Sequence, residues 1–392
     1  MDPVRNPYAP GAGQRPPELA GRDAELAAFD VLLERVTRGR PERSVVLTGL
    51  RGVGKTVLLN AMRSAAVRRG WGTGKLEARP DQSIRHPLAG ALHLAVRELA
   101  GGHADETAHV LGVVKSFAQR DERVRKGRPW QPGIDVPAIA GRADSGDIEI
   151  DLVELFCDVG GLASDSGHGL AVFIDEMQDL GPADVSALCA AGHEISQRSL
   201  PLVVVGAGLP HLPAVLSASK SYSERLFRYA RIDRLDRIAH DHALRAPARD
   251  EEADFAEDAL AAMYDATGGY PYFVQAYGKV AWDLAPRSPI SPADVAVAAP
   301  EAEAELAVGF FGSRYERATP AEREYLRAMA DVAATGADAV STSDVAQSLG
   351  RAPQSLSPAR DGLLKKGLVY SGQRGRIAFT VPHFGRFLLA QD

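Results

Sequence analysis

Four residues near the start of the chain have the spacing of a phosphate-binding loop. The segment GLRGVGKT follows the apolar run SVVLT and fits the pattern G-x-x-x-x-G-K-[ST], with the defining positions at Gly49, Gly54, Lys55 and Thr56. Glycines let the backbone curl so that N–H groups point at phosphate oxygens. The lysine supplies a positive charge for the β- and γ-phosphates, and the threonine hydroxyl is a magnesium ligand. A chance glycine-rich turn is a weak alternative, because a predicted strand precedes the loop and a predicted helix follows it.

The rest of the loop and the first turn of the helix are expected to contact the same nucleotide. A helix that begins near Lys55 adds its positive N-terminal end to the N–H groups of the loop. The additional nucleotide-binding residues predicted on this basis are Gly52, Val53 and Val57.

A second apolar segment, LAVFIDE, ends in two carboxylates, Asp175 and Glu176. An acid at the carboxyl end of a buried parallel strand lies at the sheet edge where ligands bind. We expect Asp175 to hold a magnesium ion through water, and Glu176 to orient and deprotonate the attacking water. The alternative is an exposed acidic pair at the start of a loop. Together with the phosphate loop, the pair predicts ATP and Mg²⁺ as cofactors and ATP hydrolysis as the reaction.

The segment SERLFRYAR places two arginines, Arg225 and Arg228, just beyond the predicted sheet core. Either is a candidate arginine finger that acts on the γ-phosphate of a neighbouring subunit, a role worth roughly 10³–10⁵ in rate where it is used. Simple pairing with acidic surface residues is an equally supported interpretation.

A Gly-Gly-x-Pro turn in the segment TGGYPYFVQAYG opens an amphipathic helix. A rigid turn of this kind can pack on adenine or ribose, which makes Tyr270 and Pro271 candidate nucleotide contacts. An ordinary helix start, with proline near the first helical position, is the alternative.

The elements that must position these motifs alternate between strands and helices. SVVLTG, WGTGKLEAR, GLAVFIDE and LPLVVVGAG are predicted strands with helical segments between them, which favours a parallel sheet covered on both faces. A length of 392 residues indicates two or three domains. We predict an α/β P-loop NTPase core, an αβα sandwich, over residues 1–235. A helical lid follows over residues 236–314, and a winged helix-turn-helix over residues 315–392.

Composition excludes several classes of protein. The net charge of −6 argues against a protein that coats nucleic acid over its whole surface. The two isolated cysteines, Cys157 and Cys189, indicate neither a zinc ribbon nor a disulfide framework. The Pro/Gly-rich start lacks the apolar stretch of a signal peptide, and no apolar run approaches the roughly 18–20 residues that span a bilayer. We therefore expect a soluble, cytoplasmic protein with no membrane partner.

The C-terminal segment has the element order of a winged helix-turn-helix. Thr319 and Pro320 begin a capped helix, two more helices follow, and LVYSGQRGRIAFTVP is predicted to form two strands around a wing. From Arg351 onward the chain has seven Lys/Arg against two Asp, a local basic patch that favours contact with double-stranded DNA. Packing against protein is the alternative. Candidate base contacts lie on the third helix and candidate phosphate contacts on the wing: Gln354, Ser355, Ser357, Arg360, Arg374 and Arg376.

With these motifs together, the chain resembles AAA+-type ATPases of the initiator-like group, related to archaeal and eukaryotic origin-recognition ATPases. The resemblance extends over nearly the whole chain, from LAGRDAEL through GLRGVGKT, FIDEMQDL and VVVGAGLP to SLSPARDGLLKKGLVY. It implies that an N-terminal box flanks the adenine, formed here by Leu19, Ala20, Gly21 and Arg22.

Two departures from the family pattern imply slow turnover. The sensor strand of the family often ends in a polar residue such as Asn, whereas this chain has Gly206, Ala207 and Gly208. The Gly-Gly-x-Pro turn replaces the second sensor arginine, and it resembles the turn of signal-transducing (STAND) ATPases, which use the nucleotide as a slow switch. The main hypothesis is therefore an ATPase whose nucleotide state controls DNA binding, with a homo-oligomer or a protein partner as further candidate assemblies. The alternative is a STAND-like switch that binds a protein partner.

Overall fold

The computed structural model describes residues 1–11, 13–99, 104–119, 136–334 and 339–391, which form two units. The sheet unit comprises residues 24–48 and 58–231. The phosphate-loop unit comprises residues 1–23, 49–57 and 232–392. The phosphate loop thus groups with the N-terminal arm and the C-terminal half of the chain. The three predicted domains, with boundaries after residues 235 and 314, stay a prediction.

A parallel sheet of five strands forms the centre of the sheet unit. Its order is β2-β3-β4-β1-β5, with the strands β1 Ser44–Thr48, β2 Gly72–Glu77, β3 Leu170–Asp175, β4 Leu202–Gly208 and β5 Phe227–Arg231. The register pairs Thr48 with Gly208 and Ile174 with Gly206. The carboxyl ends of β1, β4 and β3 therefore lie side by side, with Asp175 at this edge. The chain enters the phosphate loop at Gly49, one residue beyond β1.

Helices alternate with these strands, as the apolar periodicity predicts. They are α1 Asp23–Thr37, α2 Lys55–Arg68, α3 Arg85–Glu98, α4 Ala104–Gln119, α5 Ile148–Asp165, α6 Pro182–Gln197, α7 Leu212–Ser219 and α8 Ser223–Leu226. Strands β3 and β4 are buried along their whole length, which explains their uninterrupted apolar sequences.

A buried ion pair joins α3 to α5. Arg85 Nη2 lies 2.8 Å from Asp151 Oδ2, and both side chains are almost completely buried. Asp151 also accepts hydrogen bonds from Ser145 N and Oγ, so the carboxylate is fully engaged.

The phosphate-loop unit is mainly helical after residue 232. Its first part contains α9 Arg237–Asp250, α10 Glu257–Thr267, α11 Pro271–Leu284 and α12 Pro292–Leu306, then a π-helical turn, Ala307–Gly312, and α13 Ser313–Tyr315. A continuous apolar core extends through these helices into the C-terminal elements.

The C-terminal module, residues 315–391, contains the three helices and two strands that the sequence predicts, with two additions. Its elements are α14 Pro320–Ala333, β6 Val340–Ser341, α15 Thr342–Ser348, α16 Pro353–Lys365, β7 Val369–Tyr370, β8 Arg376–Phe379 and α17 Phe384–Leu389. The unpredicted strand β6 completes a small sheet of order β6-β8-β7, and α17 was not foreseen. A capping box between Thr319 and Glu322 begins α14, with Pro320 at the first helical position as predicted.

Among the described residues, no helix combines the length and the apolar character that crossing a membrane would require.

Candidate functional site

The phosphate loop has the backbone that its glycines predict. Gly52 and Gly54 have φ angles of +82° and +90°, a region that residues with a Cβ rarely adopt. A Cβ at Gly49 would lie 2.2 Å from the carbonyl oxygen of Ile232, so the position has no room for a side chain. The loop can therefore curl as a phosphate cradle only with glycine at these positions.

Lys55 is the first residue of α2, and its ammonium group lies against its own loop. Its Nζ donates hydrogen bonds to the carbonyl oxygens of Gly49 at 2.9 Å and Leu50 at 2.7 Å. The next residues, Thr56 and Val57, continue the first turn of α2, so their N–H groups belong to the positive end of the helix. A ligand that recruits Lys55 must replace these two hydrogen bonds.

The N-terminal arm holds the loop through Arg22, which is buried. Its guanidinium donates to the carbonyl oxygens of Val53 at 3.1 Å and Asp233 at 2.6 Å. The preceding Ala20 is also buried, and Leu19 is half-buried. Arg22 thus holds the carbonyl of Val53 in the phosphate loop in place. The resemblance to the family did not indicate this role. Contact of these residues with a base stays a prediction.

The Gly-Gly-x-Pro turn starts a helix, as one of its two interpretations predicts. Pro271 is the first residue of α11, and the ring of Tyr270 packs edge-on against His383 at 5.8 Å. The N–H of Tyr272 donates to the carbonyl of Gly52 at 3.2 Å, so the start of α11 contacts the phosphate loop directly. Burial, aided by Arg386, lowers the pKa of His383.

In the sheet unit, Asp175 is the last residue of β3 and is buried. Its Oδ1 accepts the N–H of Glu176 at 3.0 Å. Glu176 itself has a φ of +49°, which is unusual for a residue with a side chain. Strained backbone of this kind concentrates at functional sites, and here it lies at the predicted catalytic acid.

Gln178 is a contributor to the site that the sequence did not reveal. Its Nε2 donates to Glu176 Oε2 at 2.6 Å, and its Oε1 accepts the N–H of Leu209 at 3.0 Å. A Cβ at Gly206 would lie 2.5 Å from Met177 Sδ, and one at Gly208 would lie 2.8 Å from Gln178 Oε1. Gly206 and Gly208 have no room for a side chain because the turn after β3 packs onto the end of β4, and Gln178 supplies a polar group there.

The two candidate fingers lie at the opposite edge of the sheet from Asp175. Arg225 is in α8 immediately before β5, and Arg228 pairs in register with Val45 near the start of β1. Arg225 lines a cavity of about 290 Å³ at the amino ends of the strands, together with Arg43. Neither arginine is near the carboxyl edge of its own sheet, so a finger role requires a second copy of the chain.

The candidate DNA-contacting residues lie on α16, on strand β8 and in the turn between β7 and β8, and their contact with DNA stays a prediction. Gln354 and Ser355 are exposed in the first turn of α16, followed by Ser357 and Arg360, which are half-buried. Arg374 is exposed in the turn between β7 and β8, whereas Arg376 on β8 donates to the carbonyl of Ala339 at 2.5 Å.

Among the described residues from Arg351 onward, carboxylates neutralise four of the basic side chains. The ion pairs are Arg351–Glu324, Arg360–Asp361, Lys366–Glu322 and Arg386–Glu303. In the described part of the chain, Lys365 and Arg374 have no carboxylate at ion-pair distance. The basic patch is therefore weaker than the residue count indicates.

Comparisons with known proteins agree with this geometry. Residues 18–205 match the model of a family described as AAA ATPase domain, and residues 308–388 match one described only as a domain of unknown function. A comparison with curated proteins gave no match. Among solved structures, the chain is similar to a Walker-type ATPase of Pyrococcus abyssi at 16% identity, covering 96% of this chain and 97% of that chain with a TM-score of 0.58.

Two further solved structures match with lower TM-scores. The RuvB Holliday junction branch migration motor of Thermotoga maritima shares 17% identity over 97% of this chain and all of that chain, 100%, with a TM-score of 0.46. The Orc1 protein of Aeropyrum pernix, solved in complex with DNA, shares 16% identity over 96% and 94%, with a TM-score of 0.45. The strand order and the Pyrococcus match establish a P-loop NTPase fold. The predicted resemblance to AAA+-type ATPases is confirmed for residues 18–205.

Proposed function

We propose that this chain is an ATP-binding, slowly hydrolysing AAA+-type ATPase whose nucleotide state controls DNA binding through its C-terminal module. The observation that carries the proposal is the phosphate loop, with positive φ at Gly52 and Gly54 and with Lys55 at the start of α2. This loop follows β1, and the carboxyl end of β1 shares a sheet edge with Asp175.

The residues present fit ATP and Mg²⁺. The N–H groups of the curled loop and of the first turn of α2 would hold the phosphates, and Lys55 would contact the β- and γ-phosphates. Thr56 and Asp175 would hold Mg²⁺, which neutralises charge on the phosphates when it is bound. Glu176 would accept a proton from the attacking water.

The proposal of slow turnover rests on the end of β4. Gly206, Ala207 and Gly208 provide no side chain that could sense a γ-phosphate, and the polar group at this position comes from Gln178, which is engaged with Glu176 and Leu209. Glu176 must give up its hydrogen bond from Gln178 before it can bond to the attacking water. This favours slow hydrolysis, as in a nucleotide switch, over the fast hydrolysis of a motor.

DNA binding by the C-terminal module is supported by the element order and by its free cations. We interpret α14, α15 and α16 with the β7–β8 hairpin as a winged helix-turn-helix, with the first turn of α16 in the major groove and Arg374 on the backbone. Gln354 and Ser355 are exposed at the start of α16, where they can reach base edges.

A protein partner is the second candidate for this module, and the paired charges favour it. Among the described residues from Arg351 onward, four basic side chains already have carboxylate partners, which reduces the electrostatic attraction of the module to phosphate. A switch that binds protein would use the same ATP site and need no DNA.

The deciding experiment measures binding of double-stranded DNA by the full chain with Mg²⁺ and ADP, and with Mg²⁺ and a non-hydrolysable ATP analogue. We expect the two nucleotides to give different affinities, and each affinity to fall as salt is raised. Absence of DNA binding in both states, with a stable protein partner recovered by pull-down, would favour the second candidate.

A further inference from the structure

One peptide group of the phosphate loop is bonded on one side to the C-terminal module and on the other to Lys55. The N–H of Arg51 donates to the carbonyl oxygen of Thr380 at 2.9 Å. The carbonyl of Leu50, which belongs to the same peptide group, accepts from Lys55 Nζ at 2.7 Å. A continuous chain of hydrogen bonds therefore runs from the C-terminal module to the ammonium group that the fold uses for phosphate.

The carbonyl of Thr380 is held firmly in place. Thr380 is completely buried, and its hydroxyl shares its one hydrogen between the carbonyl oxygens of Gly367 at 2.7 Å and Leu368 at 3.0 Å. Its N–H also donates to Leu368 at 3.1 Å. Because its hydroxyl and its N–H both bond to the turn between α16 and β7, the Thr380 carbonyl moves with that turn.

The start of α11 bonds to a second residue of the same loop. Tyr272 donates its N–H to the carbonyl of Gly52, and its ring stacks on Phe310 at 4.6 Å between centroids. Next to Phe310, Phe311 stacks on Phe384 and Phe387 of α17, at 6.0 and 5.3 Å. The phosphate loop, the helices that follow residue 232 and the C-terminal module are thus joined by one continuous set of contacts. Movement of one of them must break or distort contacts with the others.

Hydrogen bonds in such a chain strengthen one another. The Thr380 carbonyl polarises the Leu50–Arg51 peptide group, which makes the Leu50 oxygen a better acceptor for the cation of Lys55. Conversely, when Lys55 leaves Leu50 for a phosphate, the Arg51 N–H becomes a weaker donor to Thr380. The two events oppose each other, and the coupling must be reciprocal.

We propose that docking of the C-terminal module on Arg51 and recruitment of Lys55 by the terminal phosphate compete through this peptide group. The docked module then favours a nucleoside diphosphate, while a triphosphate, with more negative charge within reach of Lys55, loosens Thr380 from the loop. This inference rests on the nucleotide binding proposed above and names the route by which the nucleotide controls the module.

The test uses the full chain and two matched variants. Thr380→Val keeps the shape and the carbonyl but removes the hydroxyl bonds that fix it. Thr342→Val is the control, because Thr342 Oγ1 donates to the Gly375 carbonyl at 3.2 Å in the same module. With the Thr380 carbonyl less firmly held, docking should weaken by roughly the free energy of one hydrogen bond, so binding of a non-hydrolysable ATP analogue should tighten about fivefold in Thr380→Val relative to Thr342→Val. The affinity for ADP should change less.

Hydrogen exchange on the unmodified chain provides a second measurement that does not depend on a variant. Amides in residues 366–381 should exchange faster with the ATP analogue and Mg²⁺ than with ADP and Mg²⁺. Equal exchange while both nucleotides bind, or equal ATP-analogue affinity in the two variants, would overturn the inference and leave nucleotide binding intact. Failure of the unmodified chain to bind either nucleotide would instead overturn the proposed function, and this inference with it.

Discussion

Glu176 Oε2 accepts a 2.6 Å hydrogen bond from Gln178, and the same glutamine accepts the N–H of Leu209 just beyond β4. The predicted catalytic base is thereby tied to the strand where related ATPases are expected to carry their sensor. A change at the end of β4 can move Gln178, and Gln178 can in turn hold or release the carboxylate. Glu176 is thus part of a small polar network within the sheet unit.

Replacing the base should separate binding from turnover. In Glu176→Gln the shape is kept but the side chain can no longer accept a proton, so kcat for ATP should fall by about 10²–10⁴. The affinity for ATP should stay within about twofold, since the loop is unchanged. Steady-state phosphate release and calorimetric titration measure the two quantities. Glu194→Gln, which removes a surface ion pair with Arg198, is the control. Hydrolysis at the unmodified rate in Glu176→Gln would show that another group is the base.

Removing the support of the base should have a smaller effect of a different kind. Gln178→Ala deletes both hydrogen bonds, so Glu176 is less well oriented and kcat should fall about tenfold, the equivalent of roughly 1.4 kcal/mol. Gln197→Ala, an exposed site at the end of α6, should leave kcat unchanged. Equal rates in the two variants would mean that Gln178 is only structural.

The Arg85–Asp151 pair should stabilise the sheet unit in a pH-dependent manner. Asp151→Asn removes the Asp151 charge from beside a buried guanidinium, which should cost about 3–5 kcal/mol in the free energy of unfolding. Asp158→Asn, in a partly exposed pair with Arg142, should cost about 1 kcal/mol or less. Urea denaturation at pH 7 measures both values. Similar losses in the two variants would contradict the prediction.

The same pair determines how the stability of the fold changes as the pH is lowered. Burial raises the pKa of Asp151, but the hydrogen bonds from Ser145 and Arg85 outweigh it, and the net pKa lies below the ordinary value. A depressed pKa in the folded state means that the stabilisation is complete above the unfolded pKa of about 4 and is lost as the pH falls through the lower folded value. Asp151→Asn should therefore show a shallower loss of stability below about pH 4 than the unmodified chain.

Arg374 should contribute to DNA affinity without contributing to sequence preference. It is exposed in the turn between β7 and β8 and has no carboxylate partner among the described residues, so it is suited to a phosphate contact. Arg374→Ala should reduce the slope of log affinity against log salt by about 0.9. Fluorescence anisotropy with a DNA duplex at several salt concentrations measures the slope. Arg287→Ala, an exposed arginine in the lid, is the control. An unchanged slope in Arg374→Ala would exclude the wing from the interface.

The sequence predicted the parts of the site that depend on local pattern. The glycines of the loop, the lysine at the start of α2, the acids at the end of β3 and the capped start of α14 each follow from a few adjacent residues. Gln178, Thr380 and the loop-holding role of Arg22 could not be found in this way, because their partners are distant in sequence or depend on how a turn packs. The strength of the basic patch was overestimated for the same reason, since Glu322 and Glu324 neutralise cations more than 25 residues further along the chain.

The most direct test of the account is Mg²⁺-dependent binding of ATP by the unmodified chain and by Lys55→Ala, measured by calorimetry. Circular dichroism of the variant checks that it is folded, since Lys55 also bonds to Gly49 and Leu50. The account predicts saturable binding by the unmodified chain and a loss of at least about 100-fold in affinity in Lys55→Ala, because charge-assisted hydrogen bonds to phosphate are removed. Equal affinity in a folded Lys55→Ala, or no binding by the unmodified chain, would contradict it.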